Sequence, residues 1–203
     1  NPVYRQFCDH LKVDKQSVKS LQQIPFLPIQ FFKTHQVITG ENPIQQTFTS
    51  SGTTGMVTSR HLVTDIALYE ESYRKGFSQC YGNIEDYVIL ALLPSYLERE
   101  GSSLIYMVQD LIDLTQNPDS GFYLNDYDAL TAKINNLEAT GQQTILIGVT
   151  YALLDLIERQ SFRLQHTIIM ETGGMKGKRK EIIREDLHRQ LCGGFGVQAI
   201  HSE

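Results

Sequence analysis

No run of apolar residues in this chain approaches the roughly 20 that a membrane-spanning helix requires, which excludes a helical membrane span. The first residues carry neither the apolar core nor the small-residue cleavage site of a secretory signal. Basic residues are not in excess. Lys and Arg number 18 against 23 Asp and Glu, and the resulting net charge of −5 offers no field for nucleic acid. Cysteines are few: Cys8, Cys80 and Cys192 are far apart and odd in number, a usage that fits reduced thiols in a cytoplasmic protein. No Cys or His pair has zinc-ligand spacing, and there is neither an internal repeat nor a low-complexity segment.

What remains is the composition of an ordinary globular chain, 41% apolar and 20% charged over 203 residues, enough for one domain or for one and part of a second. Residues 1–23 are polar and mildly helical. The apolar segment 24–33 (IPFLPIQFFK) holds two prolines that oppose a regular helix, so it is expected as an ordered, extended brace packed on the core. Stretches at 35–38 and 45–49 alternate as strands do. Thr64 is a candidate cap for a helix running to about Cys80, with Ile66, Tyr69, Tyr73 and Phe77 at helical spacing and Gly82 beyond its end.

From there strands and helices alternate. The runs 87–93 (YVILALL), 144–149 (TILIGV) and 167–170 (TIIM) read as buried strands, and 121–124 as a weak one. Between and after them, 102–114, a helix capped by Asp126, a helix capped by Thr150 and 178–191 read as helices, the last ended by Gly193 and Gly194. Residues 197–203 read as a further strand. This pattern predicts an α/β fold of layered, mostly parallel sheets with flanking helices. Ligands in such sheets sit outside the carboxyl ends of the strands.

The chemistry concentrates in residues 47–60 (TFTSSGTTGMVTSR). Gly52 and Gly55 let the backbone turn its N–H groups inward as an anion-binding nest. Ser50, Ser51, Thr53 and Thr54 add hydroxyl donors. Three or four hydrogen bonds of about 1.5–3 kcal/mol each to a charged partner would hold a triphosphate even in an acidic protein. The spacing is not that of G-x-x-x-x-G-K-[ST]. Residues 194–199 fit the letters G-x-G-x-x-A but follow a helix rather than a strand, against a dinucleotide site there.

The loop 49–55 resembles the hydroxyl-glycine signature of the adenylate-forming superfamily, which includes acyl-CoA synthetases and adenylation domains. More narrowly, 24–37 (IPFLPIQFFKTHQV), 50–60 and 171–191 (ETGGMKGKRKEIIREDLHRQL) resemble, in order, the acyl-protein synthetases that activate fatty acids in bacterial bioluminescence. The resemblance implies that the chain is part of the N-terminal domain of an adenylate-forming enzyme. It also implies ATP and Mg²⁺ as cofactors, a carboxylic acid substrate that is attached to AMP, and a thiol acceptor, either coenzyme A or a protein cysteine. On this basis Ser50, Ser51, Gly52, Thr53, Thr54 and Gly55 would bind phosphates. Gly173 and Gly174, with Ser202 and Glu203, would meet adenine and ribose, and Tyr96 and Gly148 would border the acyl pocket.

The sequence departs from the family in places. Val57 and Thr58 stand where many members have proline and lysine, with Arg60 close enough to supply the cation. Thr150 stands where proline is common. The basic run Lys176, Lys178, Arg179 and Lys180 reads as a solvated helix start, and Cys192 as structural. The opening Asn1-Pro2 and the strand-like close lead to the expectation of a partial adenylation domain over 1–203, cut at both ends, with a downstream Tyr-Gly-x-Thr-Glu motif missing. Two other readings stay open: a nucleotide- or acyl-binding module that kept the fold without the chemistry, and an interaction domain.

Overall fold

The computed structural model describes residues 1–50, 57–94, 101–175 and 177–203. The chain divides into two compact units, one built from residues 1–73 with 101–103, the other from 74–94 and 104–203.

In the first unit, helix α1 (Pro2–His10) starts where Asn1 Oδ1 accepts the Tyr4 N–H at 3.0 Å, with proline at the first helical position, where no N–H is needed. Helix α2 (Phe31–Thr34) is a single turn set up by Pro28, whose carbonyl accepts the Phe31 N–H at 3.0 Å. Phe7 meets the edge of Phe31 at 5.5 Å, and Phe31 stacks on His35 at 4.8 Å. Strands β1 (Gln46–Thr49) and β2 (Arg60–Val63) pair antiparallel, with Thr49 opposite Arg60. The loop between them is closed at its root. The Ser50 N–H donates to Ser59 O at 3.1 Å, and the Ser59 N–H donates to Ser50 Oγ at 3.0 Å.

Helix α3 (Ile66–Tyr81) begins in the first unit and ends in the second. The second unit is organised by a five-stranded parallel sheet in the order β4-β3-β5-β6-β7. Its strands are β3 (Val88–Leu92), β4 (Gly121–Phe122), β5 (Thr144–Gly148), β6 (Thr167–Glu171) and β7 (His201–Ser202). Every residue of β3 and β5 is buried, as near-continuous apolar strands with no polar alternation require.

The connecting helices are α4 (Ser103–Thr115), α5 (Tyr127–Thr140), α6 (Thr150–Arg159) and α7 (Arg184–Phe195). Growth of the sheet reverses at β3: α4 leads back to β4, while α5, α6 and α7 lead on to β5, β6 and β7. Right-handed crossovers therefore put α4 on one face and the other three on the opposite face. Side chains agree. Tyr127 of α5 hydrogen-bonds Asp155 of α6 at 3.4 Å, and Arg159 lies 4.3 Å over the Tyr127 ring. Gly194 of α7 approaches α6 so closely that a Cβ there would lie 2.5 Å from Ile157 Cβ.

The sheet, its parallel direction and the flanking helices are as the sequence pattern predicts. Several local readings differ. Residues 35–38 form no strand, and β2 was not anticipated; it separates the hydroxyl-glycine loop from α3. The segment 24–33 is not packed on the core throughout, for Phe26 and Ile29 are 80% and 65% exposed. Pro25 and Pro28 keep that segment from pairing with a sheet that could cover it. Asp65, not Thr64, accepts from the first turn of α3, through the Leu68 N–H at 3.4 Å. Helix α7 starts at Arg184 rather than near 178 and runs through Gly193 and Gly194. It ends at Gly196, left-handed at φ 70°, where a Cβ would lie 2.8 Å from Phe162 O. The final strand is two residues long.

Candidate functional site

Parallel register aligns three strand ends that are distant in sequence. Gly148 of β5 lies beside Glu171 of β6, and Glu171 lies beside Ser202 of β7. These are carboxyl ends, where open parallel sheets place their ligands. The reversal in strand order falls between β3 and β5, so the chain after Leu92 and the turn after Gly148 flank the switch point.

Glu171 is the centre of the arrangement. It ends an apolar strand with its side chain 8% exposed. Its Oε2 accepts the Gly173 N–H at 2.7 Å and the Thr150 hydroxyl at 3.1 Å, and its Oε1 accepts the Ser202 hydroxyl at 2.8 Å. Arg184 of α7 donates to Ser202 Oγ at 2.5 Å. His188 Nε2, also on α7, stands 3.7 Å from Glu171 Oε1, beyond a hydrogen bond but within reach of a charge interaction when protonated. Burial alone would push the Glu171 carboxyl up. The hydrogen bonds from Ser202, Gly173 and Thr150, with His188 nearby, outweigh it and hold the carboxyl below the usual range. Glu203 moves the other way, pushed up by removal from water first and by the Glu171 charge second. Two buried polar atoms beside this centre, Thr172 Oγ1 and His188 Nε2, have no hydrogen-bond partner among the described residues.

The glycine pair follows directly. Gly173 and Gly174 have φ of 75° and 86°, in the left-handed region that glycine enters without strain. The Gly173 N–H is turned back onto Glu171, while the position a Cβ would take on Gly173 has no atom within 4 Å among the described residues. At Gly173, then, no described residue crowds the Cα. Gly148 has a different constraint: a Cβ there would lie 2.5 Å from Leu153 Cδ2, so glycine is needed for α6 to lie against β5.

Of the residues singled out from sequence, Gly173, Gly174, Ser202 and Glu203 share one end of the sheet, with Gly148 one strand away. Ser50 belongs to the first unit. Ser51, Gly52, Thr53, Thr54, Gly55, Tyr96 and Lys176 lie outside the described residues. Arg60 sits at the root of the hydroxyl-glycine loop, opposite Thr49. Thr150 does not cap α6, whose cap position is Val149; its hydroxyl is given to Glu171 instead. The basic run precedes α7 instead of starting it, and Arg179 is tied to α6 through Asp155 and Glu158.

Glu171, Arg184 and His188 were not anticipated. One signal was available for the first, a carboxylate closing the otherwise apolar strand TIIME. Nothing local marks Arg184 or His188, which reach the site only because α7 folds back beside β7.

Among the described residues, no group of three or more His, Cys, Asp or Glu could hold a metal ion, and no helix is long and apolar enough to cross a membrane. The three cysteines are free.

Comparison with known proteins adds similarity to a family model and to a curated ligase. No solved structure matches this chain. A curated relative, the long-chain-fatty-acid–luciferin-component ligase of Vibrio harveyi, is 26% identical across 98% of this chain and 55% of its own length. The chain therefore spans about half the length of the curated relative it matches. Residues 1–78 match the family described as acyl-protein synthetase, LuxE, while the similarity to the ligase runs along nearly the whole chain.

Proposed function

We propose that the protein of which this chain is part activates a long-chain fatty acid with ATP and passes the acyl group to a protein thiol. The observation that carries this reading is the similarity to a fatty-acid ligase along nearly the whole chain. The residue cluster at the carboxyl ends of β5, β6 and β7 supports it, since that is where a parallel sheet receives a ligand. The fatty-acid carboxylate would attack the α-phosphorus of ATP and expel pyrophosphate. A thiolate would then attack the acyl carbon of the mixed anhydride, and AMP would leave. Adenylation converts a poor leaving group into a good one, so the protein's task is chiefly orientation and charge stabilisation.

In this reading the hydroxyl-glycine loop, with Ser50 and Ser59 closing its root, receives the phosphates. The adenosine moiety falls to Gly173 and Gly174, with Ser202 and Glu203. Tyr96 and Gly148 belong to the acyl side. Mg²⁺ would accompany the triphosphate and neutralise its oxygens.

ATP–pyrophosphate exchange by the full-length protein, dependent on added fatty acid, is the expected result. Nucleotide binding without exchange would replace this reading with a binding module that kept the fold. Thr53→Ala with Thr54→Ala is expected to weaken ATP binding by about 1–3 kcal/mol in calorimetry while leaving the fold intact. Unchanged ATP affinity removes the loop from the site.

A further inference from the structure

One buried carboxylate ties together donors from three segments whose strand ends the parallel register already brings side by side. Glu171 accepts from Thr150 at the start of α6, from Gly173 in the glycine turn, and from Ser202 on β7. Each bond is assisted by charge and so is stronger and more directional than a neutral one. A buried carboxylate without such donors would be costly. The arrangement also draws the Thr150 hydroxyl away from helix capping, and it commits the Gly173 N–H, which would otherwise be free to face a ligand. Ser202 is fixed from both sides, by Glu171 and by Arg184.

We infer that Glu171 is a positioning residue, whose ionised carboxylate sets the conformation of the Gly173–Gly174 turn and the orientation of Ser202 and thereby shapes the surface that meets the nucleotide. The positioning of the turn stands on geometry alone. Its consequence for nucleotide binding rests on the proposed function. Among the described residues, the charged and titratable groups around Glu171 are His188 and Arg184 from α7 and Glu203 just after β7; the group from α6 that meets it is the neutral Thr150 hydroxyl.

The opposite end of the same strand provides an internal control. Glu138 of α5 accepts from the His166 N–H at 2.9 Å and the Thr167 hydroxyl at 3.0 Å, and also from the Gln165 N–H. It is a carboxylate of equal connectivity at the amino end of β6, away from the ligand side.

The test uses intact protein labelled with ¹⁵N-glycine and reads the hydrogen-exchange protection of the Gly173 amide, with ATP affinity measured in parallel. In Glu171→Gln, Gly173 protection should fall by about tenfold and ATP should bind about tenfold more weakly, the loss of a charge-assisted hydrogen bond. Wild-type Gly173 protection should also fall as pH drops and the carboxylate is protonated, a dependence the Gln variant lacks. Glu138→Gln should lower stability yet leave both readings unchanged. Glu171→Asp keeps the charge but withdraws it by one methylene; it should recover part of both effects and supplies the same readings if the Gln variant does not fold. Gly173 protection unchanged in the Glu171 variants overturns the inference, as does a freed Gly173 with undiminished ATP affinity. If wild-type protein binds no ATP, the proposed function falls, while the Gly173 amide still decides whether Glu171 fixes the turn.

Discussion

The two units of this chain bury their apolar side chains to very different extents. In the second, Ile89, Leu90, Leu146 and Leu153 are fully buried around a parallel sheet with helices on both faces. In the first, Phe48 is the one buried hydrophobic residue among those described, and Leu21, Phe26 and Ile29 are 75%, 80% and 65% exposed. Order in the first unit rests more on stacked rings, on Asn1 capping α1, and on the backbone and hydroxyl bonds that close β1 and β2. The contrast teaches where rigidity comes from. A parallel sheet can be covered on both faces and needs no polar side to its strands. A two-stranded antiparallel ribbon is marginal by itself, because it has no second layer on which to bury a face.

That contrast can be broken most decisively at its strongest point. Leu146→Ala, in the centre of β5, should cost about 2–5 kcal/mol, because the deleted methyl groups leave a cavity in a closed layer. Urea denaturation followed by circular dichroism reads the loss. A cost below about 1 kcal/mol would mean that the sheet is not the stabilising core supposed here.

A smaller effect sharpens the role of the carboxyl ends. The Glu171 carboxyl is held below its usual range, so the charged form is favoured by folding. Its contribution is complete above the ordinary glutamate value of about 4.3 and drains away as pH falls through the lower folded value. Wild-type and Glu171→Gln melting temperatures should therefore converge on acidification. Curves that stay parallel down to pH 3 would show that the charge is not what the network uses.

The smallest effect is expected in the first unit. Phe26→Ser removes a largely exposed ring and should change stability by no more than about 0.5 kcal/mol. A larger loss in the intact protein would show that Phe26 is covered there.

The sequence made the second unit legible and the first much less so. Runs such as VILAL and TILIG are apolar without alternation, and their length, too short for a buried helix, assigns them to strands covered on both faces. Helix α5 was equally plain, with Asp126 accepting the Ala129 N–H at 2.9 Å and Gly141 left-handed after its last turn. In the first unit, apolar residues at 24–33 imitated a core segment although prolines deny them a partner face. Strand β2 (RHLV) is too short and too mixed to announce itself.

The site divides in the same way. The Gly173–Gly174 turn could be located from its letters, because only glycine enters the left-handed region freely. Glu171 falls one residue past the strand expected at 167–170 and drew no role, and Thr150 looked like a cap. Local sequence contains a hydroxyl's candidate partners within a turn of helix, but not those across a sheet.

By itself, then, the sequence determined the element types of the second unit, their parallel arrangement and the position of the glycine turn, since these follow from side-chain periodicity and backbone freedom within a few residues. Tertiary structure alone decided that Gly148, Glu171 and Ser202 are neighbours, that Thr150 serves Glu171 rather than α6, and that Arg184 and His188 stand beside them. The physical reason is register. Parallel pairing fixes which strand ends align, and a buried carboxylate takes whatever donors that alignment brings within about 3 Å.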